Sequence, residues 1–142
     1  MYNNINMKNN KFSANNGNNI NNNNCSNTTT IPIVTYANAD TSRSTICKEN
    51  MNKSGVYRWV NKVNGKSYIG SSMSLGDELT IYYSLNSLKI KVRGSIIIYR
   101  ALLKYGYSNF SLEILEYCGS NVLKKREQYY INILKPEYNI LK

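Results

Sequence analysis

Gly55-Val56-Tyr57-Arg58-Trp59-Val60-Asn61-Lys62-Val63-Asn64-Gly65-Lys66-Ser67-Tyr68-Ile69-Gly70 is the stretch around which the chain is organised. Residues 56–63 and 66–71 are β-rich, and the Asn64-Gly65 pair between them tolerates positive φ at both positions. The segment therefore reads as a β-hairpin. A two-residue turn sets Asn61 opposite Tyr68 and Trp59 opposite Gly70. Side-chain alternation then puts Tyr57, Trp59, Asn61 and Tyr68 on one face. On that register Tyr57 lies roughly 13 Å along the strand from the position opposite Tyr68, at about 3.3 Å per residue. The shared face follows from the sequence; contact between the two phenols does not.

Working outward, the 142 residues allow one modest domain plus a tail. Fourteen of the first 27 residues are Asn, with almost no aliphatic side chains among them. Such a tract buries too little apolar surface to offset chain entropy, so residues 1–30 read as a disordered tail. Residues 31–53 read as an extended arm or linker. Within it Pro32 confines residues 31–36 to a sheet edge or an arm, and residues 41–54 are a polar loop with at most one helical turn. Residues 54–142 hold the domain proper.

After the hairpin, Ser74 with Asp77 three residues on resembles a capping box, and Leu75, Leu79, Tyr82 and Tyr83 recur at helical spacing. That helix fades over residues 86–91. A second starts at Ser95, presents Ile98, Leu102 and Tyr105, and stops at Gly106. Phe110, Leu112 and Ile114 alternate as a strand ending near Cys118. Ser120 caps a last helix over residues 121–134, closed by Pro136. The order β-β-α-α-β-α describes an α/β (α+β) domain, one short sheet covered by helices, with no internal repeat.

The formal net charge is +10, and residues 55–142 carry 13 basic against 6 acidic side chains. An excess of that size attracts polyanions. By charge alone, nucleic-acid binding and a merely solvated basic surface stand level. The chain has no histidine and only three cysteines, Cys25, Cys47 and Cys118, none in a Cys-x-x-Cys pair. Zinc fingers, His-based nuclease sites and Ser-His triads are excluded by inventory. The sparse cysteines fit reduced intracellular thiols. No apolar run is long enough for a membrane span, so no membrane partner is expected, and the amino terminus has neither a signal-peptide core nor an Arg-rich transit helix.

The last helix holds the most informative residue. Its apolar side chains Val122, Leu123, Tyr129, Tyr130, Ile133 and Leu134 fill one arc, with Lys124, Lys125, Gln128 and Asn132 opposite. Glu127 falls between Leu134 and Ile131, inside or beside that arc, and Arg126 is similarly placed. A carboxylate on a core-facing stripe costs several kcal/mol, on the order of its desolvation penalty, unless it is paired or metal-bound. A structural salt bridge, with Arg126 or a lysine, is the commoner explanation; a metal or catalytic role is the rarer one.

Gly55-Val56-Tyr57 and Tyr68-Ile69-Gly70, ten residues apart, resemble the two halves of the GIY-YIG nuclease signature. The match is nearest to homing endonucleases encoded in fungal mitochondrial introns. It runs from about Lys48 onward and takes in Lys104-Tyr105-Gly106, Arg126-Glu127-Gln128 and Pro136-Glu137-Tyr138-Asn139. The resemblance implies a small antiparallel three-stranded sheet flanked by helices. It implies a DNA partner, one divalent cation, usually Mg²⁺, and no small-molecule cofactor. Glu127 occupies the metal-binding position, where a hard oxygen ligand suits Mg²⁺. Asn139 matches the asparagine that closes the domain. Tyr57 and Tyr68 match the tyrosines of which one helps deprotonate water and the other positions water or phosphate. A phenol is a poor base near its reference pKa of about 10, so a cation must help. Ser71 and Ser72 are candidate phosphate contacts, with cap or turn duty as the commoner use. Tyr82 falls where relatives carry a histidine or tyrosine. A mitochondrial location follows from the same likeness.

Two departures bear on activity. Relatives place an arginine eight residues after the second triplet's glycine, and here that position is Glu78. A carboxylate does not replace a guanidinium fork on phosphate, and losing such a donor costs about 10²–10³ in rate. Arg93 and Arg100 are the nearby cations in sequence. Relatives also continue into a DNA-recognition region, which the sequence to Lys142 lacks, so contact with DNA is expected to be mainly to the backbone and salt-sensitive. The sequence thus points to an impaired Mg²⁺-dependent DNA endonuclease domain. The alternative is a non-catalytic DNA- or RNA-binding remnant that assists intron RNA.

Overall fold

In the computed structural model, residues 30–84 and 96–139 are described. The Asn-rich tail before residue 30, the fading of the first helix over residues 86–91, the Ser95 cap and Arg93 all lie outside them. The elements are β1 (Val34–Tyr36), α1 (Arg43–Glu49), β2 (Gly55–Asn61), β3 (Ser67–Ser72), α2 (Leu75–Tyr82), α3 (Ile96–Tyr105), β4 (Phe110–Tyr117) and α4 (Leu123–Leu134).

The strands form one antiparallel sheet in the order β1-β4-β2-β3. It has four strands, not the expected three. The extra one is β1, which pairs Val34 with Ile114 and Tyr36 with Leu112 on the outer side of β4. Three residues beside a proline are too few to announce a strand by periodicity, and β4 supplies the pairing that makes them one. Residues 41–54 also differ from the expected loop, since α1 runs for seven residues. Its anchor is a single apolar residue, Ile46, fully buried. One side chain cannot display a helical period, which is why the pattern was silent. Asn50 closes this corner. Its Nδ2 donates to the Ile46 carbonyl at 2.7 Å, and its Oδ1 accepts from Tyr117 Oη at 2.7 Å.

The hairpin forms with a longer turn. Trp59 opposes Tyr68, and Tyr57 opposes Gly70. The Asn61 carbonyl accepts from Gly65 N at 2.8 Å, while its side-chain oxygen accepts from Val63 N at 2.9 Å. Asn61 therefore starts the turn itself, and Gly65, at φ +78°, takes the left-handed step that ends it. This shifts the register by two residues from the two-residue turn. A shift of two leaves every side chain on its expected face, whereas a shift of one would invert them all. It also brings Tyr57 two residues closer to Tyr68 along the sheet.

The two faces of the sheet bury different helices. Tyr57, Trp59, Phe110, Leu112 and Ile114 pack with Leu75, Leu79, Tyr82, Ile98 and Leu102 of α2 and α3. Val56, Ile69 and Leu115 pack on the other face with Leu123, Tyr130 and Ile131 of α4. α3 ends where Gly106 turns to φ +84° and donates to the Leu102 carbonyl at 2.9 Å. A 3₁₀ turn over Ser120–Val122 precedes α4.

β3 is an edge strand, and the segment after α4 covers it. Ser67 N donates to Glu137 Oε1 at 3.0 Å, and Tyr138 N donates to the Ser67 carbonyl at 2.9 Å. The Asn139 amide then binds both backbone groups of Ile69, each at 2.9 Å. A single side chain here stands in for the missing neighbouring strand. Among the described residues, no helix is long and apolar enough to cross a membrane.

Candidate active site

Four consecutive residues of β3 carry the site. Tyr68 is half-buried against the α2–α3 side of the sheet. Ile69 is held by Asn139. Gly70 lies under the Tyr57 ring, where an added Cβ would sit 2.6 Å from Tyr57 Oη. Ser71 reaches the opposite face, where its hydroxyl donates to Glu127 in a very short bond.

On the α2 side, Tyr57 Oη donates to Glu78 Oε2 at 3.1 Å and lies 2.9 Å from Tyr82 Oη. Each phenol has one proton. With that of Tyr57 directed at Glu78, Tyr82 must donate to Tyr57. The result is a directed chain from Tyr82 through Tyr57 to Glu78. Burial pushes both phenols well above their ordinary range, reinforced at Tyr57 by the neighbouring Tyr82 and at Tyr82 by Tyr68. These two groups hold their protons and act as donors. Tyr82 is further fixed by stacking on Tyr99, with ring centroids 4.8 Å apart. Glu78 lies near the amino end of α2, where helix amides favour negative charge.

On the α4 side, the Glu127 side chain is 18% exposed, and its Oε1 lies 3.5 Å from Lys124 Nζ, on a side chain 88% exposed. The carboxylate at the margin of the apolar arc is thus paired with a lysine and a serine. Arg126, the other candidate partner, turns instead to Glu116, with bonds of 2.8 and 2.9 Å, and lies over the Tyr129 ring. That pairing, chiefly its hydrogen bonds, holds the Glu116 carboxyl below its ordinary range.

The candidate residues meet along one strand but not at one point. Tyr57, Tyr82 and Glu78 are joined on one face; Glu127 and Ser71 are joined on the other. Tyr57 and Glu127 approach β3 from opposite sides. Ser72 serves a turn, its Oγ accepting from Ser74 N at 2.9 Å. Trp59 is core, fully buried among Tyr82, Tyr83 and Phe110. The sequence reading missed the link from Glu78 to Tyr57, which spans 21 positions and leaves no local signal. Of the two salt-bridge partners it offered for Glu127, Arg126 or a lysine, the lysine is the one found, Lys124, at the three-residue spacing that brings helix side chains together.

Among the described residues, no group of three or more acidic, cysteine or histidine side chains converges to cage a metal ion. One carboxylate suffices for an ion that keeps most of its waters and meets phosphate oxygens directly, and Glu127, partly open to solvent, fits that requirement.

The family model for the GIY-YIG catalytic domain matches residues 53–139. This chain belongs to the GIY-YIG family. The chain is 31% identical over 119 residues to a Neurospora crassa protein named "Probable intron-encoded endonuclease bI1". That alignment takes in 78% of this chain but only 26% of the relative's length. Among solved structures, the catalytic domain of the homing endonuclease I-TevI matches with a TM-score of 0.52 and 28% identity, over 63% of this chain and all of that one. A mutant of the same I-TevI domain matches with a TM-score of 0.50 and 26% identity, over 63% of this chain and 92% of that one.

Proposed function

We propose that this GIY-YIG domain is a divalent-metal-dependent DNA endonuclease of the intron homing type, slowed by the carboxylate at position 78. The observation that carries the reading is the gathering of Tyr57, Tyr68, Asn139, Ser71 and Glu127 around four residues of one strand. In phosphodiester hydrolysis a water oxygen bonds to phosphorus, one P–O ester bond breaks, and the water proton passes to an acceptor. Glu127 would hold the Mg²⁺, which supplies charge stabilisation at phosphate oxygens when bound. Ser71 fixes the Glu127 carboxylate. Asn139 fixes the strand from which Tyr68 and Ser71 project. Tyr57, locked as a donor, positions; Tyr68 would be the phenol that orients and deprotonates water, the other role the resemblance implies for the signature tyrosines. Ser72 and Tyr82 act through the turn and through Tyr57 rather than on phosphate. The intron-encoded relative supports mitochondrial expression.

A second reading has its own support. Glu78 stands beside the site and is engaged by Tyr57, so the charge there repels a phosphate. A domain of this kind binds DNA or intron RNA without cutting it. A supercoiled-plasmid assay separates the two. Slow nicking that needs Mg²⁺ and disappears in Glu127→Ala supports the nuclease. Binding at low salt with no nicking in Mg²⁺ or Mn²⁺ overturns it in favour of the second reading.

A further inference from the structure

We propose that Lys124 is the phosphate-binding cation of this site, taking the place of the arginine that Glu78 displaces. The inference rests on the nuclease reading and names a residue for it. Lys124 Nζ and the Ser71 hydroxyl converge on the same oxygen, Glu127 Oε1, from α4 and β3. The ammonium is the outermost of the three groups, on a side chain 88% exposed, so an arriving polyanion meets it first.

Among the described residues, the guanidinium groups are placed otherwise. Arg43 pairs with Asp40 at 2.8 Å and lies over Tyr83. Arg58 pairs with Glu113 at 3.4 Å, and Arg126 with Glu116. Arg100 is exposed on α3, whose buried side chains pack on the sheet face away from α4. Lys124 has the freedom that the three paired arginines lack, and it lies on the Glu127 side of the sheet, which Arg100 does not. The ammonium end of the pair is solvated and its contact is long, 3.5 Å, while the Ser71 hydroxyl stays on the carboxylate, so the lysine can leave Glu127 at modest cost. A flexible stem with three rotatable donors lets it pass from the carboxylate to a phosphate oxygen as a point charge. That exchange also frees Glu127 to take a metal ion. The cation and the metal-holding carboxylate then both rise from α4, one turn apart, while α2 contributes Glu78.

The test uses the full chain and the variants Lys124→Ala and Lys124→Arg, with Lys125→Ala as an exposed neighbour control. Binding of a short fluorescent DNA duplex is measured in EDTA across a salt series, and plasmid nicking is measured in Mg²⁺. Lys124→Ala is expected to flatten the salt dependence by about one counterion and to slow nicking by about tenfold or more. Lys124→Arg is expected to keep both, and Glu78→Arg added to Lys124→Ala is expected to restore nicking. Lys124→Ala that binds and nicks like Lys125→Ala overturns the proposal. Should the unaltered chain fail to nick at all, the nuclease reading falls and the binding arm decides alone. Weaker binding by Lys124→Ala than by Lys125→Ala then supports the proposal, and equal binding overturns it.

Discussion

Tyr57 donates its only hydroxyl proton to Glu78 across 3.1 Å, so the residue standing where the resemblance leads one to expect an arginine is tied to the first signature tyrosine. The bond explains how a carboxylate is tolerated there. A buried phenol needs an acceptor, and Glu78 provides one while keeping part of its surface in water. The expected consequence is testable by charge reversal. Glu78→Arg should raise the nicking rate by about tenfold or more, since a guanidinium fork grips phosphate where a carboxylate repels it. No gain, in a variant that still folds and binds, would mean that the absent arginine is not what limits the site.

Tyr57→Phe removes the centre of the chain from Tyr82 to Glu78. The Tyr82 hydroxyl, buried and stacked on Tyr99, loses its acceptor. A stability loss of about 1–3 kcal/mol is expected from that unsatisfied group. Urea unfolding measures it; an unchanged midpoint would show that Tyr82 finds another partner.

Asn139→Ala breaks two bonds to the backbone of Ile69 and leaves the edge of β3 open. About 1–3 kcal/mol of stability should go with them. The sharper readout is local. Amide exchange at Ile69 should accelerate well beyond that of the β2 and β4 amides, and equal acceleration everywhere would show a global effect instead.

Ile46→Ala tests whether α1, which lies ahead of the matched region, belongs to the folding unit. Ile46 is fully buried beside Tyr36 and Ala39. A loss of about 2–5 kcal/mol is expected from the cavity. A change below about 0.5 kcal/mol, the size typical of surface substitutions, would make α1 an appendage.

The tyrosines set the alkaline limit. Burial raises Tyr57 and Tyr82 well above 10 and raises Tyr107 and Tyr117 to about 12. In the unfolded chain all four ionise near 10, so above that pH the unfolded state loses protons that the folded state keeps. Stability is therefore complete below about pH 10 and falls as pH rises toward the folded values. Tyr57 and Tyr82 should each contribute about 1.4 kcal/mol per pH unit to that fall. Part of the absorbance of the 13 tyrosinates should develop only together with loss of structure; complete ionisation of all of them near pH 10 in a still-folded chain would contradict this burial.

Much of this architecture could be read in advance because it is written at short range. The Asn64-Gly65 turn signal, the spacing of Leu75, Leu79 and Tyr82, and the alternation of Phe110, Leu112 and Ile114 each appear within a few residues. Their buried faces in the structure are the ones the periods indicate. The register escaped because Asn61 builds the turn through its own side chain, a role that composition does not reveal. β1 was left open between a sheet edge and an arm because pairing with β4 decides it, and α1 escaped because one buried residue, not a pattern, holds it. The site followed the same rule. Glu127 stood out as a charge on an apolar stripe, whereas the bond between Tyr57 and Glu78 depends on how α2 is laid on the sheet.

The clamp on Ile69 has a consequence for synthesis. Asn139 follows every strand and helix described, so a nascent chain on the ribosome completes its sheet and both apolar layers before the β3 edge is sealed. Until then that edge offers its amides and carbonyls to any extended peptide nearby, and the strand bearing Tyr68 and Ser71 is free to slide. Order in the strand that bears the candidate residues would thus be the last to be fixed.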